Sequence, residues 1–343
     1  MRKAISVDWL QLYCDGSEMV PAPGYDYKLA EYSTKTFKKL YFVTLKGEEF
    51  ATITAEPTSS VIRADAVLVK FKNRLLYSPN YIVQVQVFLE FANLKVRGIT
   101  RLDIALDFNY FYNSLNPHTF IRRFLKSAYL KNGRGTFHVI GEQKFMNDYQ
   151  YLRFGEKNAD VNVYLYNKTK ELQDVQDKPY IRKRWQQVGL NTAVPVWRLE
   201  VSIKSQAVKY VDLQSGEISK IKWENVENQQ YLYDIFYSYV SQYFSFKIND
   251  GLLNKSRMKD LQLFDDSRAV YKKIKLPDTT GSNQSDKVFI KKLYMLDKEI
   301  RGMKNINEHI RRALIKDFSE AVCLENWLDK KRDTWDKIAV REY

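Results

Sequence analysis

The 343-residue chain holds only two cysteines, Cys14 and Cys323, near its opposite ends. They form no ligand-spaced cluster, which excludes a disulfide-stapled scaffold and reads as two reduced thiols. Histidine is as scarce: His118, His138 and His309 are the whole supply, and no two are neighbours. Zinc sites of Cys and His are thereby excluded, as are metal centres built on a His-hydrophobic-His strand. No GxxxxGK[ST] loop occurs, so no ATP-driven helicase module is expected, and Gly133-Arg134-Gly135 is too short to cradle a phosphate. No apolar run reaches the roughly 18 residues that span a bilayer. Asp8 interrupts the first apolar stretch, MRKAISVDWLQLYCDG, so a signal peptide is not expected and the cytoplasm is the expected compartment, with no membrane partner.

What is present is charge and aromatic surface. Lys and Arg number 55 against 41 Asp and Glu, a formal net charge of +14. A surplus of that size suits a polyanion, because neutralised phosphates release condensed counterions. The 24 Tyr, 19 Phe and 6 Trp could stack on unpaired bases, although most such rings serve a core. With 45% apolar residues the chain can build one large domain or two ordinary ones.

Segments 5–13, 40–45, 66–71, 100–108, 137–140, 151–154, 161–166 and 196–203 are β-branched or aromatic and often alternate, as strands do. Helical spacing appears over 82–96 and 118–130, the latter after Asn116-Pro117, and again in YLYDIFYSYVSQYFSFKI from about residue 229. The expected class is α+β on an antiparallel sheet, residues 1–250, followed by a basic helical region, 251–343, that is either a separate domain or packed on the same core. Within that region LPDTTGSNQSD, 276–286, reads as a loop and 287–337 as amphipathic helix.

Two segments are alike: Thr100-Arg101-Leu102-Asp103-Ile104 and Trp197-Arg198-Leu199-Glu200-Val201. Each alternates apolar residues with a basic and an acidic residue on the opposite face. If they share a sheet, Asp103 and Glu200 converge, and carboxylate oxygens suit Mg²⁺ or Mn²⁺. Asp107 lies four residues from Asp103, about 13 Å along a strand, so it is the second choice as a metal ligand. The plainer reading is cross-strand charge pairing. A third segment, Asn162-Val163-Tyr164-Leu165-Tyr166-Asn167-Lys168-Thr169-Lys170-Glu171, sets Tyr164, Tyr166 and Lys168 on one face. A tyrosine there is a usable nucleophile where a cation favours the phenolate; the plainer reading is packing.

ITRLDIALDFN, VNVYLYNKTKE and VWRLEVSIK, taken in order, resemble the Rep_trans family, replication initiators of rolling-circle plasmids with relatives among conjugative relaxases. ISVDWLQLY is similar to the family's opening strand, with Asp8 at its aspartate. The resemblance implies Tyr166 as nucleophile, Asp103 and Glu200 (then Asp107) as ligands for Mg or Mn, and Lys168 and Glu171 as groups that tune the tyrosine or contact the phosphate, with Tyr164 as rival nucleophile. Where family members tend to carry a glutamate, LVKFKN places Lys70. The implied activity is nicking of one strand at an origin hairpin or single-stranded origin, giving a 5′-phosphotyrosine and a free 3′-OH, with rejoining of ends. Expected DNA contacts are Arg101, Arg198, Arg134 and the run Arg182-Lys183-Arg184; basic runs are otherwise solvated surface. A host helicase and polymerase are implied partners, as is a homodimer. Two alternatives stay open: a relaxase acting on a transfer origin, and a DNA-binding protein without catalysis.

Overall fold

Alternation in KAISVDWLQLYCD produces the first and central strand, β1 (Lys3–Asp15). In chain order there follow β2 (Tyr25–Leu29), β3 (Phe37–Leu45), β4 (Glu48–Pro57), β5 (Ala66–Phe71), α1 (Asn73–Leu76), α2 (Tyr81–Phe91) and β6 (Lys95–Phe108). Next come α3 (Pro117–Leu125), β7 (Tyr129–Lys131), β8 (Phe137–Gly141), β9 (Tyr149–Phe154), β10 (Val161–Asn167), α4 (Lys168–Asp174) and α5 (Pro179–Gln187). The last are β11 (Trp197–Lys204), β12 (Lys209–Val211), β13 (Ile218–Lys220), α6 (Gln229–Tyr243) and β14 (Phe246–Ile248).

This computed structural model describes residues 2–60, 62–141, 149–204, 208–211, 218–252 and 254–265, all within a unit spanning Met1–Ile274; a second unit is Lys275–Tyr343. The loop expected at 276–286, the helix expected over 287–337 and Cys323 lie outside the described residues. Residues 254–265 belong to the first unit, with Leu263 and Phe264 buried in its main core. No described helix is long and apolar enough to cross a membrane.

The fold is α+β. Ten strands form one antiparallel sheet in the order β2-β3-β4-β5-β1-β6-β11-β10-β9-β8. The two similar segments of the sequence are therefore neighbours, β6 beside β11, with β10 beyond. One face of this centre is apolar: Ile5, Val7, Leu102, Ile104, Leu106, Val163, Leu165, Leu199 and Val201 join the main core, which also holds buried side chains of α2, α3 and α6. The opposite face carries the polar side chains. A small second cluster of Ala4, Leu172, Ile181, Trp185, Leu190 and Val196 packs α4 and α5 against part of it.

Three expected helices are shorter than their spacing indicated; the segment YLYDIFYSYVSQYFSFKI stays helical only to Tyr243, and Phe246–Ile248 leaves it to pair as β14 with β7. The segment 82–96 stops at Phe91 because Asn93 turns left-handed (φ 53°), and Lys95 already begins β6. The segment 118–130 stops at Leu125, Ser127 turns left-handed (φ 61°), and Tyr129–Lys131 pairs with β14. Its start is as expected: Pro117 opens α3 and the Asn116 carboxamide oxygen accepts from the His118 and Thr119 amides.

Candidate active site

The polar face becomes a site because of register. Across β6 and β11, Asp107 lies opposite Arg198, Ala105 opposite Glu200 and Asp103 opposite Ser202. Across β11 and β10, Arg198 lies opposite Tyr166 and Glu200 opposite Tyr164. The methyl of Ala105 leaves room for Glu200 between the two aspartates. A bulge adds one more carboxylate. Val7 pairs with Ile104 and Trp9 with Asp103, so Asp8 is an extra residue in β1, and its carboxylate accepts from Arg198 on this same face. Bulges re-aim a side chain in this way at the cost of local pairing.

The lower layer of the site is an enclosed ion network. Arg198 is fully buried. Its Nε and Nη2 donate to the two oxygens of Asp107 at 2.6 and 2.8 Å, and its Nη1 donates to Asp8 Oδ1 at 2.7 Å. The Tyr77 hydroxyl donates to the same Asp8 oxygen at 2.9 Å and accepts from Arg198 Nη2 at 3.0 Å. Trp185 on α5 donates its indole N–H to Asp107 at 2.7 Å. Burial opposes ionisation of Asp8, yet Arg198 and Lys168 outweigh it and hold the carboxyl well below the usual range. Arg198, expected to touch DNA, thus spends its guanidinium inside the protein, where full burial keeps it from a phosphate. Both Asp107 oxygens likewise accept bonds, from Arg198 and Trp185, which commits that carboxylate to the network.

The upper layer reaches solvent. Tyr166 and Glu200 are both half-buried, and the Tyr166 hydroxyl donates to Glu200 Oε2 at 2.7 Å. Burial, reinforced by the negative charges of Asp8 and Asp103, pushes Glu200 up to about 7. Burial and the Glu200 charge push the Tyr166 phenol well above its usual value, so the resting pair shares its proton on the tyrosine side. Lys168 is 2% exposed, ion-paired with Glu171 at 2.6 Å, and its ammonium lies 5.6 Å from the centre of the Tyr166 ring. Tyr164, opposite Glu200 on the same strand face, meets Tyr151 edge-on at 6.1 Å. Asp103 is buried, and Arg101 grips it through two bonds of 3.0 and 2.6 Å.

A hard divalent cation fits this donor set in one form. Among the described residues no group of three or more metal-type side chains is assembled. Magnesium, however, keeps several waters and needs one or two carboxylates plus a substrate phosphate. Glu200, lifted by burial and then by the charges of Asp8 and Asp103, is a carboxylate whose ionisation a cation would favour.

The remaining basic candidates stand apart. Arg182 pairs with Asp177 at 2.9 Å, Lys183 is exposed and Arg184 half-buried on α5. Arg134 is exposed in a turn whose carbonyls, at Arg134 and Gly135, accept from the Lys131 ammonium at 2.6 and 2.7 Å. Asp8 as a member of the Arg198 network, Tyr77 and Trp185 are what the sequence left unassigned in the site. Asp8 lies in a recognisable strand, but its bulge has no sequence signature, and Tyr77, in the turn that ends α1, and Trp185, on α5, arrive from elements whose docking the sequence does not encode locally.

No protein-family model matches the chain, and no curated protein matches its sequence. Among solved structures, the chain is similar to a rolling-circle replication initiator protein from Geobacillus stearothermophilus, at 15% identity and a TM-score of 0.44, over 76% of this chain and 92% of the other.

Proposed function

We propose that the chain is a DNA strand-nicking and -joining enzyme that initiates rolling-circle replication, with Tyr166 as its nucleophile. The observation that carries this reading is the solvent-reached Tyr166–Glu200 pair, set over buried, fully satisfied charges. A phenol bonded at 2.7 Å to a carboxyl poised at about 7 has its general base in place.

In the proposed step the Tyr166 Oη–P bond forms as the phenol proton passes to Glu200. The P–O3′ bond breaks in line, and the departing 3′ oxygen takes a proton from solvent. The product is a 5′-phosphotyrosine and a free 3′-OH, and the retained bond energy lets a 3′-OH reverse the step. Lys168 beside the ring favours the developing phenolate, and Glu171 holds Lys168 in place. Arg198 positions Asp8 and Asp107 and keeps β1, β6 and β11 in register. A divalent ion, Mg²⁺ or Mn²⁺, would be held by Glu200, with Asp103 joining where it gives up one of its Arg101 bonds, and would neutralise charge on the phosphate oxygens. A purely DNA-binding protein accounts for the Arg101–Asp103 and Arg198–Asp107 pairs as cross-strand fastening. It leaves unexplained why a tyrosine and an unpaired glutamate meet where solvent reaches them.

The test incubates the chain and Tyr166→Phe with labelled single-stranded DNA carrying origin hairpins and Mn²⁺, followed by denaturing gels. A covalent adduct that disappears in Tyr166→Phe supports the reading. An adduct surviving in the mutant moves the role to Tyr164 or another tyrosine, and DNA shifted but never cut establishes the binding module instead.

A further inference from the structure

One cation on the polar face makes no ion pair among the described residues, although the charge of Asp103 reaches it. Lys70 on β5 is half-buried, and among the described residues no carboxylate lies within ion-pair distance of its ammonium, whereas neighbouring Lys72 pairs with Glu49 and Arg101 pairs with Asp103. Burial, followed by the charges of Lys72 and Arg101, pushes the Lys70 ammonium below its usual range. What holds Lys70 is an aromatic ring: its ammonium sits 3.4 Å from the centre of the Trp9 indole, and the Arg101 guanidinium carbon sits 4.0 Å from the same ring. The bulge that exposes Asp8 also turns Trp9 to this face, where Gln11 pairs with Lys70 on one side and Arg101 on the other. Lys204, half-buried, continues the row beyond Arg101. A partly desolvated positive cluster, with fewer acids than bases, is a standing cost unless an anion enters it.

We propose that Lys70 and Arg101, carried on the Trp9 indole, form a phosphate subsite for single-stranded DNA beside the reaction centre. The inference rests on the proposed nicking function for its choice of anion; the shared chemistry is a phosphate diester or monoester. Arg101 links the subsite to the centre directly, since the same guanidinium grips Asp103, the neighbour of Glu200 on the face. Arg101 lies four positions from Ala105, which faces Glu200, a distance of about 13 Å along the strand. The phosphate it holds is therefore within about four stacked nucleotides of the one that Tyr166 attacks. Partly exposed rings on the same side of the sheet, Trp9 and Tyr164, supply the sequence-tolerant contact typical of single-strand tracks.

The test is binding of the full chain to a fluorescein-labelled 15-nucleotide single strand of mixed sequence, with chelator present so that nothing is cut, over a salt series. For Lys70→Ala and Lys70→Gln the slope of log K against log salt should fall by about 0.7, one phosphate contact, a loss of about fourfold in affinity near 0.15 M salt. Lys70→Arg should keep the wild-type slope. A duplex of the same sequence should lose nothing, and inorganic phosphate at constant ionic strength should not compete. An unchanged slope in both neutral variants overturns the subsite, even where the Tyr166 adduct still forms. An equal loss on duplex overturns the single-strand assignment, and competition by inorganic phosphate confined to wild type overturns it in favour of a free phosphate. The expected fall in slope in the neutral variants of a protein that never nicks would leave the subsite standing and remove the nicking function.

Discussion

Replacing Glu200 by glutamine should make the protein more stable at pH 8 while removing its chemistry. Glu200 is an acid whose value in the folded protein, about 7, stands above the ordinary 4.5. Below pH 4.5 it carries its proton in both states. Between 4.5 and 7 only the unfolded chain releases it, so stability falls as pH rises, and above 7 the loss is complete. At about 1.4 kcal/mol per pH unit that window is worth about 3 kcal/mol, an upper figure because solvent reaches the side chain. Asp8 adds no slope here, since its value lies below the window and it is ionised in both states throughout. Glutamine keeps an oxygen to accept the Tyr166 hydroxyl and removes the repulsion with Asp8 and Asp103. Urea unfolding of both proteins at pH 5 and pH 8 should therefore show the Gln variant gaining about 2–3 kcal/mol more at the higher pH. A stability difference that is the same at both pH values, or a loss at pH 8, would refute the claim that Glu200 is held in an electrostatically costly place.

Other changes follow from the same geometry. Arg198→Met leaves Asp107 and the partly buried Asp8 uncompensated and should cost about 3–5 kcal/mol in chemical denaturation. Arg198→Lys should recover only part of that, because an ammonium cannot bond both carboxylates as the guanidinium fork does. Trp185→Phe removes a 2.7 Å bond to buried Asp107 and should cost about 1–3 kcal/mol by the same measurement. The wild-type cleavage rate should climb with pH up to about 7 and then level, as Glu200 becomes able to accept the phenol proton, and nicking assays across pH 5 to 9 would show it. Gly155→Ala should lower the melting temperature, since its φ of 109° excludes a side chain and an added Cβ would lie 2.8 Å from the Val161 carbonyl.

The parts of this fold carried by alternation were legible. TRLDIALDF and WRLEVSIK each specify which side chains go to the core and which do not, and their likeness is realised as two adjacent strands. The pairing of Tyr166 with Glu200 was not legible, because it depends on β10 lying next to β11 in one register among several possible. A slip of one residue would have sent Tyr166 into the core and Leu165 to the face. Arg198 misled for a related reason: a strand position says which face a side chain takes, whereas burial depends on α5 arriving over it with Trp185. The helix ends at Asn93 and Ser127 were invisible to periodicity, since a left-handed residue interrupts a pattern whose apolar spacing continues past it.

The division into two charge layers explains how one sheet face can be rigid and reactive together. The lower acids, Asp107 and Asp8, are matched by Arg198, and their bonds tie β1, β6 and β11 through side chains as well as backbone. That fastening is what permits Glu200 to sit between carboxylates without an arginine of its own, at a position where relaxation of the strands would otherwise relieve the repulsion. The reactive pair is in this sense held by the network beneath it. Loosening Arg198 should consequently lower the Glu200 ionisation point only where the strands can move apart, so retained register in Arg198→Lys would leave Glu200 elevated. An NMR titration of Glu200 in that variant separates the two, and a value back near 4.5 with the sheet intact would mean that burial, with the charges of Asp8 and Asp103, does not act on Glu200 in the way the geometry requires.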